Sequence, residues 1–282
     1  EMTISPASLT FTASDWDIPQ TVTVTGVLDV ELDDNVDAFA TLNINTGSTL
    51  DANYSTLPGQ AVTVTTSEDP TLVLFLSFSS DTLDSSGSGN HGTAVNTSFT
   101  ADRFTAPNSA MSFNGSAYVS LANDDSLNFW PNDDFTVHFW VQTGSCNNGG
   151  AESVLLAKFD DSGLGPLNAP FAIVCDTGGE VRAGHYAVGY EDLQINSGTK
   201  IEGTTFHSIA FSKNNGLLEL YIDGVSTGQT TATMTPNIQN HSPLYIGAQN
   251  SNVLPLIGVI DDVRIYRRAL TTSEIGILAS DT

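Results

Sequence analysis

Short apolar runs with period two recur through almost the whole chain, and that alternation limits the fold more than any other feature. Period two puts successive side chains on opposite faces of a strand, whereas a helix repeats every 3.6 residues. Within residues 1–69 the runs are Leu9–Thr12, Thr21–Thr25, Phe39–Ile44 and Ala61–Thr65. From residue 72 onward eleven more strands are expected, at Leu72–Phe78, Ala110–Phe113, Ala117–Leu121, Phe135–Val141, Val154–Phe159, Phe171–Cys175, Val181–Tyr190, Phe206–Phe211, Leu217–Ile222, Leu244–Gly247 and Val259–Tyr266. So many short strands imply an all-β sandwich or jelly roll. Only Thr271–Leu278 reads as helix, with Thr271 and Glu274 at capping-box spacing.

A chain of 282 residues exceeds what one hydrophobic core usually organises, so two domains are expected. The residue before a proline is pushed out of helical conformation, which makes Asp69-Pro70 the junction between a domain at 1–69 and one at 70–282. Charge is lopsided: 8 Lys and Arg face 32 Asp and Glu, for a net −24. Such a surface repels phosphate backbones and anionic lipids, so neither nucleic acid nor a membrane is an expected partner. Residues 1–69 carry eleven carboxylates and no Lys or Arg. So much like charge calls for neutralisation by divalent cations or a saline medium. No run approaches the ~18 apolar residues that span a bilayer. The chain begins at Glu1 without a signal peptide and reads as a piece of a longer or processed protein. An acidic, Thr-rich, Lys-poor β protein reads as extracellular or cell-surface, which favours a Cys146–Cys175 disulfide over two free thiols.

Two motifs near the ends of the second domain carry more information. Asp84-Ser-Ser-Gly-Ser-Gly-Asn-His-Gly92 gathers carboxylate, amide and hydroxyl oxygens with glycines that free backbone carbonyls, a set suited to Ca²⁺. Gly258-Val-Ile-Asp-Asp-Val-Arg-Ile-Tyr266, followed by Arg268-Ala-Leu270, supplies further carboxylates. Together with Ala110–Val119, Asp134–Val141, Phe206–Phe211 and Leu218–Val225, these segments resemble, in order, the laminin-G-like branch of the concanavalin A-like lectin jelly rolls. The resemblance implies that the first and last strands of the domain lie side by side. It also implies a single structural Ca²⁺ held by Asp84, Asn90 and one or both of Asp261 and Asp262, with Asn114 as a weaker addition. The competing reading is a turn in which Asp84 and Asn90 bond their own backbone. Period two would turn Asp261 and Asp262 to opposite faces, leaving one of them as a direct ligand. Ile4–Trp16, Pro19–Gly26 and Asp51–Tyr54 resemble the back part of a Calx-beta-like, cadherin-like repeat of bacterial surface proteins. That domain is therefore expected as a partial β-sandwich, truncated or completed by a neighbour's strand.

Sugar recognition stacks an aromatic face on the pyranose while carboxylates, amides or Ca²⁺ take the hydroxyls, and loops must supply those groups. The candidates are Trp130 in Asn128-Phe-Trp-Pro-Asn-Asp-Asp134, Asp160 and Asp161, and His185, Tyr186 and Tyr190 with Glu191 and Asp192 beside them. Each of these also reads as ordinary surface packing. His138 and His207 lack a second ligand at metal spacing and read as structural. Related glucanases need two carboxylates about 5–9 Å apart on one strand, and this chain has no Glu-x-Asp-x-Glu run. With no phosphate loop or zinc spacing either, a binding module is expected rather than an enzyme. Two functions fit: a Ca²⁺-dependent carbohydrate- or glycoconjugate-binding module of an adhesin, or an assembly subunit that binds neighbouring surface-protein chains.

Overall fold

The structure, a computed structural model, describes residues 2–26, 36–49, 51–66, 69–130, 132–159, 169–186, 193–231, 241–251 and 253–280. It divides into two compact units, Glu1–Pro70 and Thr71–Thr282.

The first unit holds two separate antiparallel ladders. Strand β1 (Met2–Ser5) pairs β2 (Thr23–Gly26), and β3 (Val36–Leu42) pairs β4 (Gln60–Thr66), with a one-turn helix α1 (Ala52–Ser55) between β3 and β4. Leu9–Thr12, expected as a strand, is not one. Asp15 takes both the backbone N–H and the hydroxyl of Thr12, closing a local turn that competes with pairing. Phe39 is 63 % exposed and Leu42 and Val62 are exposed beside it, while Ala40 is buried.

The second unit is a two-sheet sandwich. Its strands are β5 (Leu72–Leu76), β6 (Gly92–Val95), β7 (Ser98–Thr100), β8 (Ala110–Asn114), β9 (Tyr118–Leu121), β10 (Phe135–Gln142), β11 (Ser153–Ala157), β12 (Ala169–Cys175), β13 (Glu180–Tyr186), β14 (Leu193–Lys200), β15 (His207–Asn214), β16 (Leu217–Ile222), β17 (Val225–Thr231), β18 (Leu244–Ile246) and β19 (Ile257–Tyr266). One sheet runs β17-β16-β15-β10-β19-β8-β7, with β5 also on β19; the other runs β14-β13-β12-β11-β18-β9-β6. The ten-residue β19 holds the first sheet together. Its first half pairs β8 and its second half pairs β5, so the first and last strands of the unit are neighbours.

Alternation builds the core. Phe135, Val137, Phe139 and Val141 of β10 and Ile209 and Phe211 of β15 meet Phe171 and Ile173 of β12 and Val181 and Ala183 of β13 between the sheets. His138 and Trp140 take the opposite face of β10 and are buried there too, with His138 Nε2 3.0 Å from Ser208 Oγ. Cys146 and Cys175 form a disulfide between the 144–152 segment and the end of β12. The C-terminal helix α2 (Thr272–Ser280) starts at a capping box, in which Thr271 Oγ1 accepts the Glu274 N–H and Glu274 Oε2 accepts the Thr271 N–H. Ile275 and Leu278 are its buried face. Among the described residues no helix is long and apolar enough to cross a membrane.

Candidate functional site

One end of the sandwich is built around a loop that displays Trp130. Asp124 opens the loop by capping the 3₁₀ turn Asp125–Leu127, its carboxylate accepting the Ser126 N–H at 2.8 Å and hydroxyl at 2.7 Å. Those two bonds, the backbone one first, hold the Asp124 carboxyl below its usual range. Leu127, Asn128 and Phe129 are buried, and Trp130 emerges with 53 % of its surface exposed. Its N–H donates to Asp133 Oδ2 at 3.0 Å while its carbonyl accepts the Asp133 N–H at 3.0 Å. The indole therefore leaves a closed turn.

Arg267, just beyond β19, fixes that turn. Its Nη1 donates to the carbonyls of Asp125 (3.3 Å), Ser126 (2.9 Å) and Asn128 (3.0 Å), its Nη2 to Asp133 Oδ2 (2.9 Å), and the guanidinium lies 5.0 Å from the Phe129 ring centre. A planar five-donor fork can meet these acceptors at once, which an ammonium cannot. Lys213 Nζ donates to the Asp133 carbonyl at 2.8 Å, and the Asn215 N–H reaches Asp134 Oδ1 at 2.7 Å.

Beneath the loop lies an aromatic cluster, with Phe129, Phe135, Phe171 and Phe211 at 5.2–5.9 Å between ring centres. His185 joins it from β13, 5.9 Å from Phe135 and only 2 % exposed, and neither ring nitrogen has a hydrogen-bond partner among the described residues. Burial, and then the Lys213 charge, push the imidazole down to about 3, so it is neutral at pH 7. Lys158 is also buried at this end; it donates to Asn123 Oδ1 (3.1 Å) and the Ser242 carbonyl (2.5 Å), and burial lowers its ammonium to about 8.

Of the sugar-binding candidates, Trp130 is thus displayed, while His185 is placed under the display loop rather than on the surface. Tyr186 ends β13, and Asp160, Asp161 and Tyr190, with Glu191 and Asp192, lie outside the described residues. Arg267 and Lys213 were missed in the sequence because a Lys or Arg at a strand end carries no period or motif of its own. The one available signal was scarcity, since a chain with only 8 Lys and Arg leaves few to spare for solvation.

The residues expected to share a Ca²⁺ do not form one ligand group. Asp84 Oδ1 accepts the N–H groups of Phe75 and Ser86, and its Oδ2 accepts the Asn90 N–H and the Ser86 hydroxyl, all at 2.9–3.0 Å. The Asn90 amide donates to the Val73 carbonyl and Ser126 Oγ, and His91 Nδ1 accepts the Asp84 N–H. This is the turn reading of the loop. Asn114 is similarly engaged with Asn96 and Ser116. At the other motif, Arg103 Nη1 binds Asp261 Oδ2 at 2.8 Å and Asp262 Oδ2 at 2.9 Å, with its guanidinium 4.3 Å from the Phe104 ring centre and 4.8 Å from that of Trp140. Strict alternation would have separated the two carboxylates. A bulge where Trp140 pairs Asp261 but His138 pairs Arg264, with Asp262 at φ 49°, lets both meet one cation. Burial and then the Asp262 charge push the Asp261 carboxyl up, against the pull of Arg103. The described residues contain no group of three or more His, Cys, Asp or Glu side chains placed to hold a metal. A single ion joining Asp84 to Asp261 and Asp262 does not fit this geometry.

A family model of the concanavalin A-like lectin/glucanases superfamily matches residues 113–276, more than half of the chain. The chain belongs to this superfamily. Among solved structures it is similar to the binding domain of Paraclostridial Mosquitocidal Protein 1, at 21 % identity and a TM-score of 0.62, covering 74 % of this chain and 52 % of that one. It is also similar to domain 4 of AbnA, a GH43 extracellular arabinanase from Geobacillus stearothermophilus solved with arabinotriose, at 21 % identity and a TM-score of 0.55, covering 74 % and 98 %. The binding domain of botulinum neurotoxin serotype D matches at 15 % identity and a TM-score of 0.56, covering 74 % and 50 %. The match thus spans about half the length of the toxin domains. No curated protein sequence matches the chain. Likeness at these identities establishes the fold alone, and function has to be argued from the site.

Proposed function

We propose that residues 71–282 form a non-catalytic carbohydrate-binding module of an extracellular protein, with Trp130 as its stacking platform. The observation that carries this reading is the exposed indole on a turn tied down by Arg267 and Asp133. Such a platform loses little freedom when a sugar ring stacks on it, because its backbone is already ordered. Asp124 and Asp125, exposed in the same loop, offer hydrogen-bond acceptors to sugar hydroxyls. The arabinotriose held by the arabinanase domain, and the description of the toxin domains as binding domains, lend the reading support. The proposal does not require Ca²⁺ to bridge Asp84 and Asp261, because those carboxylates already have protein donors. The test is a glycan array followed by titration of Trp130→Ala, with Tyr186→Ala and Tyr190→Ala alongside. Loss of the indole is expected to weaken binding about 5- to 30-fold, equivalent to roughly 1–2 kcal/mol, without altering the circular dichroism spectrum. A Trp130→Ala protein that binds like the parent, or an array without any ligand, would defeat the proposal.

A second reading rests on the first unit. Two-stranded ladders are marginal alone, and β3–β4 leaves Phe39, Leu42 and Val62 exposed. Assembly with neighbouring surface-protein chains, as a partial Calx-beta-like repeat of an adhesin, would cover them. Light scattering that shows higher oligomers, lost on substituting Phe39 and Val62 with Ser, would favour this role.

A further inference from the structure

The charge layout around Trp130 narrows the class of sugar. Of the eight Lys and Arg in the chain, three reach this end, and each is already engaged by protein oxygens. Arg267 is bound to three carbonyls and the Asp133 carboxylate; Lys213, 1 % exposed, to the Asp133 carbonyl; Lys158, fully buried, to Asn123 and Ser242. The cations elsewhere are similarly placed. Arg103 holds Asp261 and Asp262, Arg182 holds Glu152, Arg268 holds Glu274, and Arg264 stacks 4.2 Å from the Phe75 ring centre. The exposed cation is Lys200, and it pairs Glu180 at the far end of β13–β14 from the His185↔Leu193 pair. At about 3.4 Å per residue, that is roughly 24 Å along β14 from Leu193, well beyond a Debye length at physiological salt.

Carboxylates show the opposite placement. Asp124 and Asp125 are exposed in the Trp130 loop, and Asp133 and Asp134 are half-buried in it. The Asp124 carboxyl is held in its ionised form by Ser126. The buried imidazole beneath adds no charge at pH 7. A sialate, uronate or sulfate brought onto the indole would meet these carboxylates without an available cation, whereas neutral hydroxyls would find acceptors.

We propose that the Trp130 site selects neutral oligosaccharides and rejects acidic ones, with the carboxylates of Asp124 and Asp125 as the groups that repel acidic sugars. This rests on the proposed sugar-binding role of Trp130. The test uses the full chain on immobilised matched pairs, lactose beside sialyllactose and a neutral arabino- or galacto-oligosaccharide beside its uronate- or sulfate-bearing counterpart, at 0.05, 0.15 and 1 M NaCl. The neutral member is expected to bind at least about tenfold more tightly at low salt, with the gap shrinking at 1 M as screening shortens to about 3 Å. Asp124→Asn/Asp125→Asn is expected to narrow the low-salt gap by raising affinity for the acidic member, and Asn keeps the N-cap of the 3₁₀ turn. Equal or tighter binding of acidic glycans, or a gap unaltered in the double variant, overturns the selectivity while leaving the sugar-binding role intact. If no member of any pair binds, the Trp130 site itself is wrong and the selectivity falls with it.

Discussion

Replacing Arg267 with Ala tests how the display loop is built. The substitution removes three hydrogen bonds to loop carbonyls, one to the Asp133 carboxylate, and the contact with the Phe129 ring. Hydrogen bonds to charged groups are each worth about 1.5–3 kcal/mol in isolation, but these four share one guanidinium and are not additive. The side chain is also 30 % exposed, so water recovers part of the loss, and an exposed ion pair alone is worth under about 1 kcal/mol. The net cost is therefore expected at roughly 2–3 kcal/mol, or about 4–12 °C in thermal midpoint for a domain of this size. Arg267→Lys retains a charge near Asp133 but not the fork, and is expected to lose about half as much. Denaturant unfolding gives the stabilities, and titration with the array-derived glycan gives the affinity. Sugar binding should weaken in both variants even where they remain folded, because Trp130 then has to be ordered on binding. An Arg267→Ala protein that unfolds at the parental midpoint would refute the claim that this cation organises the loop. One that is destabilised but binds sugar normally would show that loop order does not matter to recognition.

The disulfide closes a loop of sequence separation 29, so Cys146→Ser/Cys175→Ser is expected to cost about 3–4 kcal/mol in urea unfolding, and thiol titration of the unreduced, denatured parent should find none. His185 is neutral in the fold with a group held near 3, against about 6.5 unfolded, so the unfolded chain takes up the proton first as pH falls. Stability contributed by the neutral ring is complete above about pH 6.5 and should fall by roughly 3 kcal/mol by pH 4; His185→Leu should remove that part of the acid sensitivity, and an unchanged acid limb would count against the burial argument. With Asp84, Asp261 and Asp262 bound to protein donors, chelation is expected to leave the thermal midpoint unaltered. A rise on adding calcium would point to ligands outside the described residues.

Each of the eleven strands expected after residue 71 is present, because each buries one or both faces and so writes its period into the sequence; of Val181–Tyr190, the last four residues lie outside the described ones. The four described strands not foreseen there are β6, β7, β14 and β17, which stand at the ends of the two strand orders; β5, paired only to β19, is an edge too, but its burial made it apolar and so legible. Val225-Ser-Thr-Gly-Gln-Thr-Thr231 shows why. An edge strand pairs on one side and faces water on the other, so it can be polar, and polarity is also what prevents edge-to-edge aggregation. The capping box at Thr271 was legible from its short spacing, and the Cys146–Cys175 bond from the acidic, Lys-poor composition of the whole chain. The partners of Arg103 and Arg267 were not. Arg103 lies more than 150 residues from Asp261, and Arg267 more than 130 from the loop it ties down. Sequence determined which segments alternate, and so the sandwich and its core. Only the tertiary structure decided which cation neutralises which carboxylates, because charge pairing acts through space and leaves no period along the chain.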